Sequence, residues 1–428
     1  MNTTELRPGI YAVGVVDWNV RSFHGYTTDR GATYNAYLII DEKIALIDTV
    51  KEPFAQELLE RIREIVDPEK IDYLISNHVE MDHSGAIPAV MAKATHAVIV
   101  TSAPSGYNGL KLHYGDSYEY MPVKAGDILS LGRHTLQFVP TPMLHWPDNM
   151  VTYCPEEKIL FSNDAFGQHY SSSRRYDDEV DMAEVMAEAE KYYANILMPY
   201  GMQMKKTIPV IEGLDISLIA PSHGVMWRSH IGDIVNAYKH FSDDTPDHKA
   251  VVVFDSMWHS TEKMARAVLE GFAMKGVPVK LYDLKVDHIS DIMTDVLKAE
   301  YVVVGSPTIN TKMIPTVASF LCYMKGLAPK NKKAFAFGSY GWGGQSAGLV
   351  NDGLEACKFQ IVMEPVKVQY IPSEAFLKEL SEKVAALDCG RTQRMLPMQH
   401  SLHRQCYLRR CISLIICFLF ISSSGVLY

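Results

Sequence analysis

Between residues 77 and 85 the chain reads Asn-His-Val-Glu-Met-Asp-His-Ser-Gly, which places His78, Glu80, Asp82 and His83 within six residues, directly after the apolar run IDYLISN. A regular helix or strand would scatter these side chains over different faces. A loop can wrap them around a centre, and two metal ions could share them. Three further candidates stand at the ends of apolar, strand-like runs: His145 in TPMLHWPDN, Asp164 in FSNDAFG and His223 in APSHG. The set is imidazole and carboxylate with no thiolate, which suits iron, manganese or zinc better than a soft metal. A single His or Asp at a strand end is ordinarily a hydrogen-bonding or turn residue, so the case for metal rests on the ordered set.

Three loops in the second half of the chain could hold a different ligand. Ser256-Met257-Trp258-His259-Ser260-Thr261 follows the apolar run KAVVVFD and opens the helical pattern TEKMARAVLEGFAMKG. Hydroxyls and backbone N–H groups at a helix N-terminus form a phosphate site. No Lys or Arg lies inside the loop, so hydroxyls and amides would carry the binding. Gly305-Ser306-Pro307-Thr308-Ile309-Asn310 and Ser339-Tyr340-Gly341-Trp342-Gly343-Gly344 end two later strand-like runs. Glycines let the backbone approach a flat ring, and Trp342 or Tyr340 could stack on it. There is no G-x-G-x-x-G, which argues against NAD.

The elements that must position these residues fall into two patterns. Up to about His248 the chain is β-rich with inserted helices: GIYAVGVVDW, TYNAYLII and KIALIDTV are strand-like, and PFAQELLERIREIV carries apolar residues three and four apart. SDDTPDHK, residues 242–249, is polar and carries a proline; it is taken as the linker. Strand and helix patterns then alternate to SEAFLKELSEKVAAL, which argues for a parallel sheet covered by helices on both faces. The strand count suits a flavodoxin-like doubly wound domain, which binds FMN beyond the carboxyl ends of its strands. The expected organisation is residues 1–248, residues 249–395, and a tail over 396–428.

The spacing H-x-E-x-D-H resembles the first motif of the metallo-β-lactamase superfamily, H-x-H-x-D-H, except that Glu80 stands where the hydrolases carry a second His. A carboxylate there is harder and anionic, so it stabilises ferric iron and tolerates redox cycling. With the separate His, Asp and His that follow, the pattern resembles the flavodiiron family over about residues 1–395. The resemblance implies an N-terminal metallo-β-lactamase-like αββα sandwich and a C-terminal flavodoxin-like doubly wound parallel sheet. It implies one iron on His78, Glu80 and His145, another on Asp82, His83 and His223, and Asp164 bridging both. It adds His24, in RSFHGYTTDRG, and Tyr193, in KYYANILMPYG, as pocket residues that could donate hydrogen bonds or protons to bound O2 or NO. The three loops resemble those that hold FMN in the family. The implied reaction is reduction of O2 to water, of NO to nitrous oxide, or both, with electrons from an external donor such as rubredoxin. The implied assembly is a head-to-tail homodimer or a dimer of dimers. Two other readings are a dizinc hydrolase fused to a flavodoxin domain and a flavodoxin-like electron carrier with a degenerate first domain. Glu80 and the flavin loops count against the first, and the intact ligand set counts against the second.

The bulk properties agree. The 428 residues are 47% hydrophobic and 21% charged, as in globular proteins, and the net charge of -9 argues against nucleic acid as the main partner. Seven scattered cysteines with no C-x-x-C pair, and no basic-then-apolar leader pattern, lead to the expectation of a reducing, cytoplasmic address. Four of the seven cysteines lie beyond Asp388 with a short apolar run, CISLIICFLFI. That run is about half the roughly 20 residues of a membrane span, and no function is assigned to the tail.

Overall fold

Strand residues pointing alternately to opposite faces decide the architecture of the first half. In the strands Tyr37–Ile39, Ala45–Ile47, Tyr73–Ser76 and Val98–Ser102, the residues Leu38, Leu46, Leu74 and Ile99 face one way. They pack on Leu58, Leu59, Ile62, Val90 and Leu110 from helices Ala55–Arg63, Ile87–Met91 and Ser105–Tyr114. Their neighbours Tyr37, Ile39, Ala45, Ile47, Ile75 and Val100 face the other way, against Phe138, Ile159, Phe161, Leu218 and Ala220 of a second sheet. The far side of that sheet, with Val151, Tyr153, Leu160 and Ile219, is covered by helices Met182–Tyr192, Gly201–Glu212 and Ile231–Ser242. The result is four layers, helix–sheet–sheet–helix, with seven strands in the first sheet and five in the second.

The computed structural model describes residues 3–387. The tail expected over 396–428, and the last residues of the second domain, lie outside the described residues. Among the described residues, no helix is long and apolar enough to cross a membrane.

The second half is the expected doubly wound sheet. Its strands run, in spatial order, Val279–Asp283, Asp247–Phe254, Ala299–Gly305 and Lys333–Tyr340, with the short strands Gln360–Ile361 and Val366–Gln369 both paired to the last. All pairs are parallel. The chain order 2-1-3-4-5 puts the switch point between Phe254 and Gly305, where two of the ligand loops begin. Helices Ser260–Met274, Pro315–Leu327, Gln345–Ala356 and Glu374–Ala385 fall where the sequence pattern puts them.

Three details differ from expectation. The linker is shorter: Ser242 still ends a helix, and the next strand already begins at Asp247. FQIVMEPVKVQY is two short strands rather than one, parted at 362–365. A further helix, Ile289–Lys298, was not expected. Its buried Ile292, Met293 and Val296 pack in the same apolar cluster as Val185, Ala189 and Leu197 of the first half.

Candidate metal centre and flavin groove

Each of the seven expected metal ligands leaves the end of a strand or an adjoining turn. His78 and Glu80 follow the strand Tyr73–Ser76, and Asp82 and His83 sit on the helical turn Met81–Ser84. Asp164 and His223 follow the strands Ile159–Asn163 and Leu218–Pro221. His145 lies in the connection between Thr135–Pro140 and Met150–Cys154. A buried carboxylate ties these loops together. Asp48 accepts hydrogen bonds from the Asn77 amide at 2.8 Å and from Asn77 Nδ2, Asn163 Nδ2 and Ser222 Oγ at 3.0, 3.3 and 3.3 Å. One residue therefore fixes the spacing of the loops that carry His78, Asp164 and His223.

The ligands converge as two groups, His78/Glu80/His145 and Asp82/His83/His223, each with its donor atoms within 4.8 Å of one another. Asp164 faces both. Its Oδ2 lies 3.5 Å from His145 Nε2 and 3.7 Å from His78 Nε2, while its Oδ1 lies 3.1 Å from His83 Nε2 and 3.4 Å from His223 Nε2. Tautomers are set from behind. The Asp148 carboxylate can only accept, so His78 Nδ1, 2.8 Å away, must donate, which turns Nε2 toward the centre. The Thr33 carbonyl does the same for His223 Nδ1 at 2.7 Å.

His78 Nε2, both Asp82 oxygens, His83 Nε2 and Asp164 Oδ2 are buried and have no hydrogen-bond partner among the described residues. Buried polar atoms are rarely left this way. The charges point the same way. Burial works to raise the Asp164 carboxyl, but the neighbouring His83 and His223 hold it well below the ordinary range. Burial works to lower His223, but Asp164 and Asp82 carry it up to about 10. Asp164 is thus ionised and His223 holds a proton, which a cation binding at Nε2 would displace. The residues fit a pair of metal ions.

His24 reaches the site, with Nε2 2.8 Å from Glu80 Oε1. Tyr193 does not, and this corrects the expectation. Its ring packs 5.1 Å from Tyr238 and 5.2 Å from Phe241, and its hydroxyl is buried without a partner among the described residues. The tyrosine beside the metal ligands is its neighbour Tyr192, which donates to Asp164 Oδ1 at 2.9 Å. Adjacent helical residues project about 100° apart, so a shift of one position exchanges the site for the core. Burial and the Asp164 charge push the Tyr192 phenol well above its ordinary range, so it remains a donor. His169, also unforeseen, is fully buried with its ring 5.0 Å from His223, and burial holds it neutral. The centre opens into a cavity of about 850 Å³ whose walls include His24, Lys51, Glu80, Met81, His145 and Trp146.

The second set of loops also assembles. Met257, Thr308, Ile309, Asn310, Gly341, Trp342 and Gly343 line one groove of about 310 Å³. Gly338 lets two of the loops meet, because a Cβ there would lie 2.2 Å from the Ser306 carbonyl oxygen. Thr261 Oγ1 and Ser339 Oγ are hydrogen-bonded at 2.8 Å, tying the first loop to the third. Ser256 Oγ is buried without a partner among the described residues, as a phosphate ligand would require. Ser260 begins the helix Ser260–Met274. Pro307 is buried and Tyr340 half-buried at the ends of their strands. His259 turns outward and pairs with Glu262 at 2.8 Å, and Trp258 is 84% exposed, so neither lines the groove. A cation stands beside the first loop: Lys285 donates to the Ser256 carbonyl at 2.9 Å. These residues fit a phosphate-bearing, flat-ringed cofactor.

Comparison with known proteins decides the family. Residues 32–224 match the ODP family beta lactamase model and residues 252–383 the flavodoxin model. The chain is 47% identical to a nitric oxide reductase of Moorella thermoacetica, over 88% of this chain and 97% of the relative. The solved rubredoxin oxygen:oxidoreductase of the anaerobe Desulfovibrio gigas superposes with a TM-score of 0.88 at 41% identity, covering 90% of this chain and 98% of that one. The flavodiiron protein of Giardia intestinalis gives a TM-score of 0.86 at 39% identity, covering 90% and 96%. The chain belongs to the flavodiiron family. The flavodiiron architecture expected from the motifs, a β-lactamase-like domain followed by a flavodoxin domain, is the one observed.

Proposed function

We propose that this chain is a flavodiiron oxidoreductase that reduces O2 to water, NO to nitrous oxide, or both. The observation that carries the reading is Asp164, whose two carboxylate oxygens face two separate ligand groups, one of them containing Glu80. That is the arrangement for a metal pair with a hard, redox-tolerant donor set. His78, Glu80 and His145 would hold one iron, Asp82, His83 and His223 the other, with Asp164 between them. The groove lined by Met257, Thr308, Ile309, Asn310, Gly341, Trp342 and Gly343 would hold FMN, with Ser256, Ser260 and Thr261 on its phosphate. When bound, the irons supply the centre at which the substrate is reduced, and FMN relays electrons to them.

The protein's own part is to orient and to supply protons. His24 and Tyr192 each touch a carboxylate of the ligand set, one Glu80 and the other Asp164. His24 lines the cavity, where its ring can donate to a small bound substrate, while Tyr192 gives its one O–H to Asp164 and orients that carboxylate. Trp146, with its ring 5.1 Å from His78, forms part of the cavity wall. Residues 1–248 would house the metal centre and 249–395 the flavin. An external donor such as rubredoxin would supply electrons, as the name of the Desulfovibrio gigas relative suggests. Exposed apolar side chains stand at both openings: Met81 and Trp146 beside the metals, Met257 and Trp342 beside the flavin groove. They support a head-to-tail homodimer, or a dimer of such dimers, in which one subunit's groove covers the other's cavity.

Glu80→Ala tests the reading. The expected protein keeps FMN, loses iron, and loses O2 and NO reduction. Full reductase activity in that variant would refute the ligand assignment.

A further inference from the structure

His24 stands on a hairpin too small to hold itself. The hairpin pairs only Ser22–Phe23 with Tyr26–Thr27, around a two-residue turn in which His24 and Gly25 have φ of 52° and 83°. Isolated two-stranded hairpins are marginal at best, and this one has few backbone bonds to offer. Its position must come from its base.

The base is gripped by Lys191. This lysine is only 7% exposed, and its ammonium meets three acceptors from two segments. It donates to Thr27 Oγ1 at 2.9 Å and to Asp29 Oδ2 at 3.0 Å, both just past His24, and it pairs with Asp291 on the flavodoxin-domain helix Ile289–Lys298. Those three contacts use the three N–H donors of a lysine. The same helix bonds the hairpin directly: the Thr27 amide donates to Ser290 Oγ at 3.2 Å, and the two hydroxyls are 3.0 Å apart. Asn195 completes the junction by donating to the Lys191 and Ser290 carbonyls at 2.8 and 3.0 Å. One position after Lys191, on the same helix, Tyr192 touches Asp164.

We propose that Lys191 is a positioning residue that sets His24 against Glu80 by anchoring the hairpin to the flavodoxin domain. The domain junction then becomes part of the metal-site geometry, although no junction residue touches the ligands. A displaced flavodoxin helix would pull on Asp291 and Ser290, and through Lys191 and Thr27 on the hairpin that carries His24. The role given to His24 rests on the proposed function above; the anchoring of the hairpin does not.

Two measurements test this separately. The first is amide hydrogen exchange on the full-length metal-free protein, comparing wild type with Lys191→Met, Lys191→Arg and the milder Asp291→Asn. Loss of charge-assisted hydrogen bonds at the base is expected to speed exchange over residues 22–28 on the order of tenfold in Lys191→Met. A smaller change is expected in Asp291→Asn, partial recovery in Lys191→Arg, and no change in the strands that carry the ligands. Unchanged exchange at 22–28 in both Lys191→Met and Asp291→Asn overturns the proposal, and so does an equal rise throughout the domain. Should Lys191→Met fail to fold, Asp291→Asn carries the same test, since Asp291 is partly exposed. The second measurement is a double-mutant cycle on the iron- and flavin-loaded enzyme. Lys191→Met is expected to cost turnover about as much as His24→Ala, with no further loss when the two are combined. Additive losses overturn the link to His24 while leaving the exchange result standing. A wild type that reduces neither O2 nor NO would sink the proposed function and leave the exchange test intact.

Discussion

Replacing Asp148 by alanine removes a carboxylate whose Oδ2 accepts two hydrogen bonds: from His78 Nδ1 at 2.8 Å and from the Val79 amide at 2.7 Å. Both donors are buried, so neither finds water in its place. A hydrogen bond to a charged acceptor contributes roughly 1.5–3 kcal/mol. The Val79 share falls on folding, because the bare amide is destabilising whether or not metal is present. The His78 share falls on the metal, because the freed ring rotates and loses its tautomer. Converted at about 1.4 kcal/mol per tenfold, it amounts to about 10–100-fold in affinity, in line with losses at other supporting carboxylates. Only one group is affected directly. His223 is held by the Thr33 carbonyl, so the Asp82/His83/His223 group keeps its affinity within a few-fold. Asp148→Asn is the control: its carbonyl oxygen can accept both bonds, so it should fall between wild type and alanine. The assay is anaerobic chelator competition for ferrous ion, resolving tight and weak sites on each variant. Wild-type affinity at both sites in Asp148→Ala, or equal losses at both, would refute the reasoning.

Three other predictions follow from single contacts. Tyr192→Phe removes the hydroxyl on Asp164 and is expected to lower turnover about tenfold, whereas Tyr193→Phe removes a buried, unpartnered hydroxyl and should leave turnover unchanged and thermal stability equal or higher; the reverse ranking would restore Tyr193 to the site. Lys285→Met is expected to weaken FMN binding about tenfold in fluorescence titration of the apoprotein while leaving riboflavin, which has no phosphate, unchanged; equal losses for both ligands would remove Lys285 from the phosphate site. Glu188 is pushed up to about 7 by burial, with Asp29 and Asp291 acting in the same direction against Lys191 and Arg30. A carboxyl raised in the folded state stabilises most below its ordinary value of 4.5 and loses that contribution as pH rises through about 7. Urea midpoints of wild type relative to Glu188→Gln should therefore fall between pH 5.5 and pH 8, and a constant difference would contradict the assignment.

What was legible in the sequence was whatever depended on order and period. His78, Glu80, Asp82 and His83 are close in the chain, and His145, Asp164 and His223 follow apolar runs in order, so the set was readable, while its division between two metals came from the family resemblance. The doubly wound sheet was readable for the same reason: buried parallel strands are continuous apolar runs, and the helices between them keep a 3.6-residue period. Rotation about a helix axis was less legible. KYYAN offers two adjacent tyrosines, and only the packed helix shows that Tyr192 faces Asp164 while Tyr193 faces Phe241. Supporting polar groups were least legible. Asp48 acts through partners at 77, 163 and 222, and Lys285 reaches a loop 29 residues away, so neither leaves a local pattern. Asp148 did leave a faint one, three residues after His145 in the same turn. The helix Ile289–Lys298 could have been found from the spacing of Ile289, Ile292, Met293 and Val296.

The central claim is that two ligand groups sharing Asp164 hold a pair of irons in a chain that also binds FMN. The most direct test is elemental analysis of purified full-length protein, made with iron available, with flavin quantified on the same sample. The account predicts two irons and one FMN per chain. Two zincs with little iron, or FMN with no metal in protein never exposed to chelators, would contradict it.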